Sequence, residues 1–130
     1  MAPIAGAKIE GVAKSVLIVD DDDSFRDLAD RLLTAAGLDV ISQANSAGAG
    51  LRAAQAIRPD SILLDVMLPD GDGVMLAGEF VALPWHPRVL LTSSYADAAG
   101  DEEVELSGAV DFLPKDQLPG APLASLLGGG

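Results

Sequence analysis

Five short apolar runs, each followed by a segment of helical length, constrain this chain more than any other feature. They are SVLIV at 15–19, LDVIS at 38–42, SILL at 61–64, RVLL at 88–91 and AVDFL at 109–113. Runs of four or five β-branched or leucine-rich residues suit strands covered on both faces. Between the first two lies SFRDLADRLLTAAG, where Phe25, Leu28, Leu32 and Ala36 recur at helical spacing and Gly37 supplies the stop. SAGAGLRAAQAI, closed by RPD at 58–60, predicts a second helix, and 74–83 a third that ends before Pro84. The fourth, 96–106, would carry Gly100 inside it at a cost of roughly 1 kcal/mol and has an acidic face, so it is expected to be the weakest. Pro119, Gly120 and Pro122 make the fifth short or irregular. The alternation implies an α/β fold, a doubly wound five-stranded parallel sheet with right-handed crossovers.

Length and charge narrow the function. The 130 residues fit one domain and its core, and no added DNA-binding domain is expected within them. Twenty acidic residues against eight basic give a net charge of −12, which speaks against a nucleic-acid surface. The chain has no cysteine, and so neither disulfides nor a thiolate metal site. No apolar run reaches the ~20 residues of a membrane span, and the start lacks the pattern of an export signal, so a cytoplasmic location is expected. Residues 1–14 show no period and read as a flexible arm; 128–130 read as a glycine tail.

Ligands of such sheets sit beyond the carboxyl ends of the strands. There the first strand delivers Asp20 and Asp21, the third Asp65, the fourth Thr92, and the fifth, after Pro114, Lys115. Three carboxylates packed together raise one another's pKa unless a cation intervenes, and the sole histidine, His86, precedes a strand at the opposite edge. An all-oxygen site with few protein ligands is what Mg²⁺ occupies, keeping waters and bridging to phosphate. One carboxylate is then left as a nucleophile toward phosphorus, with a hydroxyl and an ammonium for the phosphoryl oxygens. The residues thus suggest metal-assisted phosphoryl transfer to an aspartate. Asp22 and Asp23, just before SFRDL, read as a helix start.

VLIVDDDDSFRDL, ILLDVMLPDGDGVML, VLLTSS and GAVDFLPK, in that order, resemble the receiver domain of two-component response regulators, over about 15–127. The resemblance implies a flavodoxin-like (βα)5 fold with strand order 2-1-3-4-5. It implies Asp65 as phosphoacceptor, and Asp20, Asp21, Asp65 and the Met67 backbone carbonyl around Mg²⁺ or Mn²⁺, Asp20 acting largely through water. Thr92 and Lys115 would be the phosphate-binding switch pair, Phe112 the aromatic switch, and Gly73 would permit a tight entry into the third helix. The implied partners are a histidine kinase or histidine phosphotransfer protein, and a downstream output protein on the face formed by helix four, strand five and helix five. No nucleic acid and no membrane are implied, nor a dedicated turnover enzyme. The chain departs from the family in having Asp116 rather than proline after Lys115, which removes the proline that the family's cis peptide needs, and in Phe112, which has no hydroxyl.

Two other readings compete. DDDDS also fits the strand-end pattern of haloacid-dehalogenase-type phosphotransferases, with Asp20 as nucleophile, Asp22 as acid/base and Thr92 and Lys115 on phosphate. That reading leaves Asp65 and LPDGDG idle. A receiver-like binding module that is never phosphorylated is the third.

Overall fold

The computed structural model describes residues 13–129, so the expected arm lies outside the described residues except for Ala13 and Lys14. Five strands, β1 (Ser15–Val19), β2 (Asp39–Ala44), β3 (Ser61–Asp65), β4 (Arg88–Ser93) and β5 (Asp111–Pro114), form one parallel sheet. Their order is β2-β1-β3-β4-β5, the doubly wound flavodoxin-like arrangement expected. The chain reverses direction across the sheet between β1 and β3, which opens the crevice where such folds place their chemistry.

The central strands divide their side chains by parity. Val16, Ile18, Leu63 and Leu90 pack against α1 (Asp23–Ala35) and α5 (Leu123–Gly128) through Phe25, Ala29, Leu33, Leu123 and Leu127. Leu17, Val19, Ile62, Leu64, Val89 and Leu91 pack on the other face against α2 (Ala47–Ile57) and α3 (Gly73–Val81), through Ala54, Leu76, Ala77 and Phe80. Alternate side chains of a strand point to opposite faces, so a strand covered on both sides must be apolar throughout.

Several expectations shift in register. The buried stripe of α1 is Phe25, Ala29 and Leu33, while Leu28 is 40% exposed. The second strand starts one residue later than expected and runs on to Ala44, because Leu38 belongs to the end of α1. Its N–H donates to the Leu33 carbonyl (3.0 Å) and that of Gly37, at φ +89°, donates to Thr34 (3.0 Å), a paired closure that needs a left-handed residue. The fourth helix, α4 (Asp101–Ser107), begins after Gly100 instead of containing it. The chain beyond β5 makes a 3-10 turn (Lys115–Gly120) before α5, as irregular as its prolines imply. Of the expected glycine tail, Gly128 ends α5 and Gly129 caps it at φ +76°. Among the described residues no peptide bond is cis and no helix is long and apolar enough to cross a membrane.

Candidate functional site

The four consecutive aspartates part company as soon as β1 ends. The Asp20 N–H donates to the Ala44 carbonyl of β2 (3.0 Å), and the N–H of Asp22 turns back onto Asp20 Oδ1 (2.8 Å). Those bonds hold Asp20 inward, with 1% of its surface exposed. Asp22 faces the other way: its carboxylate accepts from the N–H groups of Ser24 (3.0 Å) and Phe25 (3.3 Å), capping α1. Asp23 pairs with Arg26, which also donates to the Asp20 carbonyl (2.6 Å) and to Gln43 Oε1 (3.2 Å).

Asp65 is the last residue of β3, beside Thr92 on β4. It is 5% exposed, and its Oδ1 accepts from the Met67 N–H (3.1 Å). Asp20, Asp21 and Asp65 each bring a carboxylate oxygen within 4.8 Å of the other two. Lys115 reaches across from the far side of the sheet, its Nζ 2.8 Å from Asp20 Oδ2 and 3.7 Å from Asp65 Oδ2. The same Nζ lies 4.1 Å from the centre of the Phe25 ring, whose face offers a cation further attraction.

Charge is in excess here. Burial pushes the Asp65 carboxyl up to about 6, and neighbouring Asp20 adds to the rise, while the Met67 N–H and the Lys115 ammonium pull against it. Asp20 Oδ2 is buried with the Lys115 ammonium 2.8 Å away, and the same ammonium is shared with Asp65, so two buried carboxylates draw on one cation and a further positive partner would relieve the imbalance. The donor set is all oxygen, which suits a hard cation such as Mg²⁺. With one oxygen from each of Asp20, Asp21 and Asp65 within 4.8 Å of the other two, the cluster is close enough for one such ion to be met by some of these carboxylates directly and by others through water.

The other expected residues fall around this cluster. Thr92 is fully buried, and its hydroxyl donates to the Leu113 carbonyl of β5 (2.8 Å) instead of facing Asp65. Phe112 packs at the margin of the core beside α4. Met67 stands in a two-residue strand (Met67–Leu68) paired antiparallel with Gly71–Asp72. That small hairpin was not anticipated, although Pro69-Asp70-Gly71 is turn chemistry. His86 lies outside the cluster, its Nδ1 2.9 Å from the Val81 carbonyl.

Two contributors were missed. Phe25 reads in the sequence only as part of the apolar spacing of the first helix, yet its ring lies against the Lys115 ammonium. Asp70 accepts from the N–H groups of Ala47 (2.7 Å) and Gly48 (3.1 Å), tying the loop after Asp65 to the start of α2, and those two bonds hold its carboxyl below the ordinary range. No local pattern could have paired Asp70 with residues 22 and 23 positions earlier; only the fold brings them together.

A family model described as the response regulator receiver domain matches residues 16–124. The chain belongs to that family. It is 36% identical over 101 residues to protein-glutamate methylesterase/protein-glutamine glutaminase 2 of Anaeromyxobacter dehalogenans (strain 2CP-C), an overlap of 77% of this chain and 29% of that protein. With the DNA-binding transcriptional activator DevR/DosR of Mycobacterium tuberculosis it shares 34% over 102 residues, 78% of this chain and 47% of the activator. With the chemotaxis protein CheY of Thermotoga maritima it shares 25% over 115 residues, 88% of this chain and 96% of CheY. This receiver thus spans less than half of the first two and nearly all of the third. Among solved structures it resembles the signal receiver domain of the putative response regulator NarL from Mycobacterium tuberculosis, at a TM-score of 0.76 and 29% identity, covering 90% of this chain and 95% of that one. The family match displaces the dehalogenase reading, whose acid/base, Asp22, spends its carboxylate capping α1.

Proposed function

We propose that this receiver accepts a phosphoryl group on Asp65 with Mg²⁺ or Mn²⁺, from a histidine kinase or histidine phosphotransfer protein, and signals by binding another protein. The observation that carries the reading is the convergence of Asp20, Asp21, Asp65 and Lys115 at the switch-point end of the sheet. In the proposed step a carboxylate oxygen of Asp65 forms a bond to phosphorus as the donor's N–P bond breaks. The departing imidazole keeps the electron pair, and the product is an acyl phosphate on Asp65. A cation held by Asp20, Asp21, Asp65 and the Met67 carbonyl would supply positive charge to the phosphoryl oxygens.

The chain's own residues do the rest. Lys115 already stands near Asp65 Oδ2 and would meet a phosphoryl oxygen with little movement. The Thr92 hydroxyl would leave the Leu113 carbonyl to donate to the phosphoryl group, a change driven by added charge of about −1.5 to −2. Losing that bond alters β5 where Phe112 and Leu113 lie, and so carries the signal toward the face of α4, β5 and α5. The reading assigns no dedicated turnover to the receiver itself.

Incubation with Mg²⁺ and acetyl phosphate, followed by intact mass measurement, tests the assignment. Wild type is expected to gain one phosphoryl group and Asp65→Asn none, with beryllofluoride shifting amide signals around Asp65 and Thr92 in the wild type only. An adduct that survives Asp65→Asn sinks the proposal. Silence in the wild type favours the never-phosphorylated module.

A further inference from the structure

The stretch from 89 to 114 contains no lysine, arginine or histidine, while it carries Asp97, Asp101, Glu102, Glu103, Glu105 and Asp111. Most of it forms one surface, because α4 lies alongside β5. None of the α4 side chains is fully buried, and Leu106 is 80% exposed. Between α4 and β5 runs a groove of about 310 Å³. Its floor is apolar, made by half-buried Val104, Ala109 and Phe112, and exposed Asp101, Glu105 and Asp111 stand around it. A dry cavity of roughly 150 Å³ suffices to take up a benzene ring, so one large apolar side chain of a partner has room here.

We infer that the α4–β5 groove is the docking site of a partner segment in which lysine or arginine residues flank an apolar anchor. The anchor would fill the groove over Phe112 while the flanking cations meet Asp101, Glu105 and Asp111. Charge complementarity of this kind speeds encounter and rejects wrong partners. A second copy of this chain is among those rejected. A two-fold pairing through α4 and β5 would set the same acidic rim against itself, with no basic residue of the stretch to answer it. The inference rests on the receiver reading for its link to Asp65, since the floor residue Phe112 precedes Leu113, whose carbonyl holds the Thr92 hydroxyl.

Amide shifts of the full chain, titrated with a synthetic amphipathic peptide of lysine and leucine and with its glutamate and leucine counterpart, test the choice of occupant. The basic peptide is expected to move signals within 101–114, and the acidic one none. Reversal at the groove, Glu105→Lys with Asp111→Lys, should weaken binding by about tenfold or more. The same charge change on another face, Asp27→Lys with Asp39→Lys, should weaken it by less than about twofold. Equal losses from the two double variants, or shifts spread over every acidic face, would show a general attraction to a chain of charge −12 and overturn the inference. So would self-association of the wild type that the groove reversal abolishes. The Asp65→Asn arm separates the two proposals: a peptide that still binds this variant keeps its groove even if no phosphoryl group ever reaches the wild type.

Discussion

A methyl group added to Gly73 would stand 2.2 Å from the carbonyl oxygen of Asp65 and 2.6 Å from the Val66 Cα. Both neighbours are backbone, so neither can swing aside. The constraint is space, and it holds the first turn of α3 against the residue proposed to take phosphate. Gly73→Ala is expected to destabilise the fold by roughly 3 kcal/mol and to weaken Mg²⁺ binding as the Asp65 backbone shifts. Urea unfolding with a parallel Mg²⁺ titration measures both, and an unchanged midpoint would show that the loop yields. Asp65 itself works against stability. Its folded carboxyl titrates near 6, above the ordinary 3.8, so the metal-free protein is favoured with the proton on and loses that advantage as pH rises through 6. Asp65→Asn is therefore expected to stabilise the metal-free protein by about 1 kcal/mol or more at pH 8, the full shift being reduced by solvent screening and by sharing with Asp20, and by little at pH 4. Equal gains at the two pH values would contradict burial of the Asp65 charge as the cause.

Among the elements, α4 is the one most exposed to loss. It has seven residues and no buried side chain, and Gly100 gives it no side-chain cap. Its first N–H groups rely on an acidic turn, and the Glu103 carboxylate reaches back to accept from the Gly100 N–H (3.0 Å). By contrast α1 has thirteen residues, the Asp22 cap and three buried side chains. Hydrogen exchange is expected to be faster at Val104–Ser107 than at Ala29–Leu33, since local opening needs little burial to be undone; equal protection would refute this ranking. The weakness was legible in the sequence, although the helix start was not. Gly100 was counted as an interior cost, whereas the chain uses it as the boundary, where that cost largely disappears. Leu38 misled in a similar way, because an apolar residue beside a strand can belong to the closure of the preceding helix. Strand ends were easier to read, since a polar residue that stops an apolar run is visible locally, and Asp20, Asp65 and Thr92 all lie at such stops. What stayed hidden depended on contacts across the fold: Asp70 on α2, Phe25 beneath Lys115, and the Thr92 hydroxyl turned to β5.

At the scale of the whole molecule, a net charge of −12 means that the folded state repels itself, and any salt should relieve part of that repulsion. A divalent cation at the aspartate cluster would add a second effect of different origin. A ligand present at ten times its dissociation constant stabilises the folded state by about 1.4 kcal/mol, which raises Tm by several degrees for a domain of this size. Screening depends on ionic strength and on charges everywhere, whereas site binding depends on Asp20, Asp21 and Asp65. Melting at matched ionic strength in NaCl and MgCl2 separates them. The wild type is expected to gain several degrees more in MgCl2. Asp21→Ala removes the exposed member of the cluster without opening a buried cavity, so this variant should keep the NaCl increment and lose most of the additional MgCl2 one. If NaCl and MgCl2 raise Tm equally in the wild type, the carboxylates act only as part of a diffuse charge, and the cation site falls. If the MgCl2 excess survives Asp21→Ala at full size, a site elsewhere on the acidic surface holds the ion.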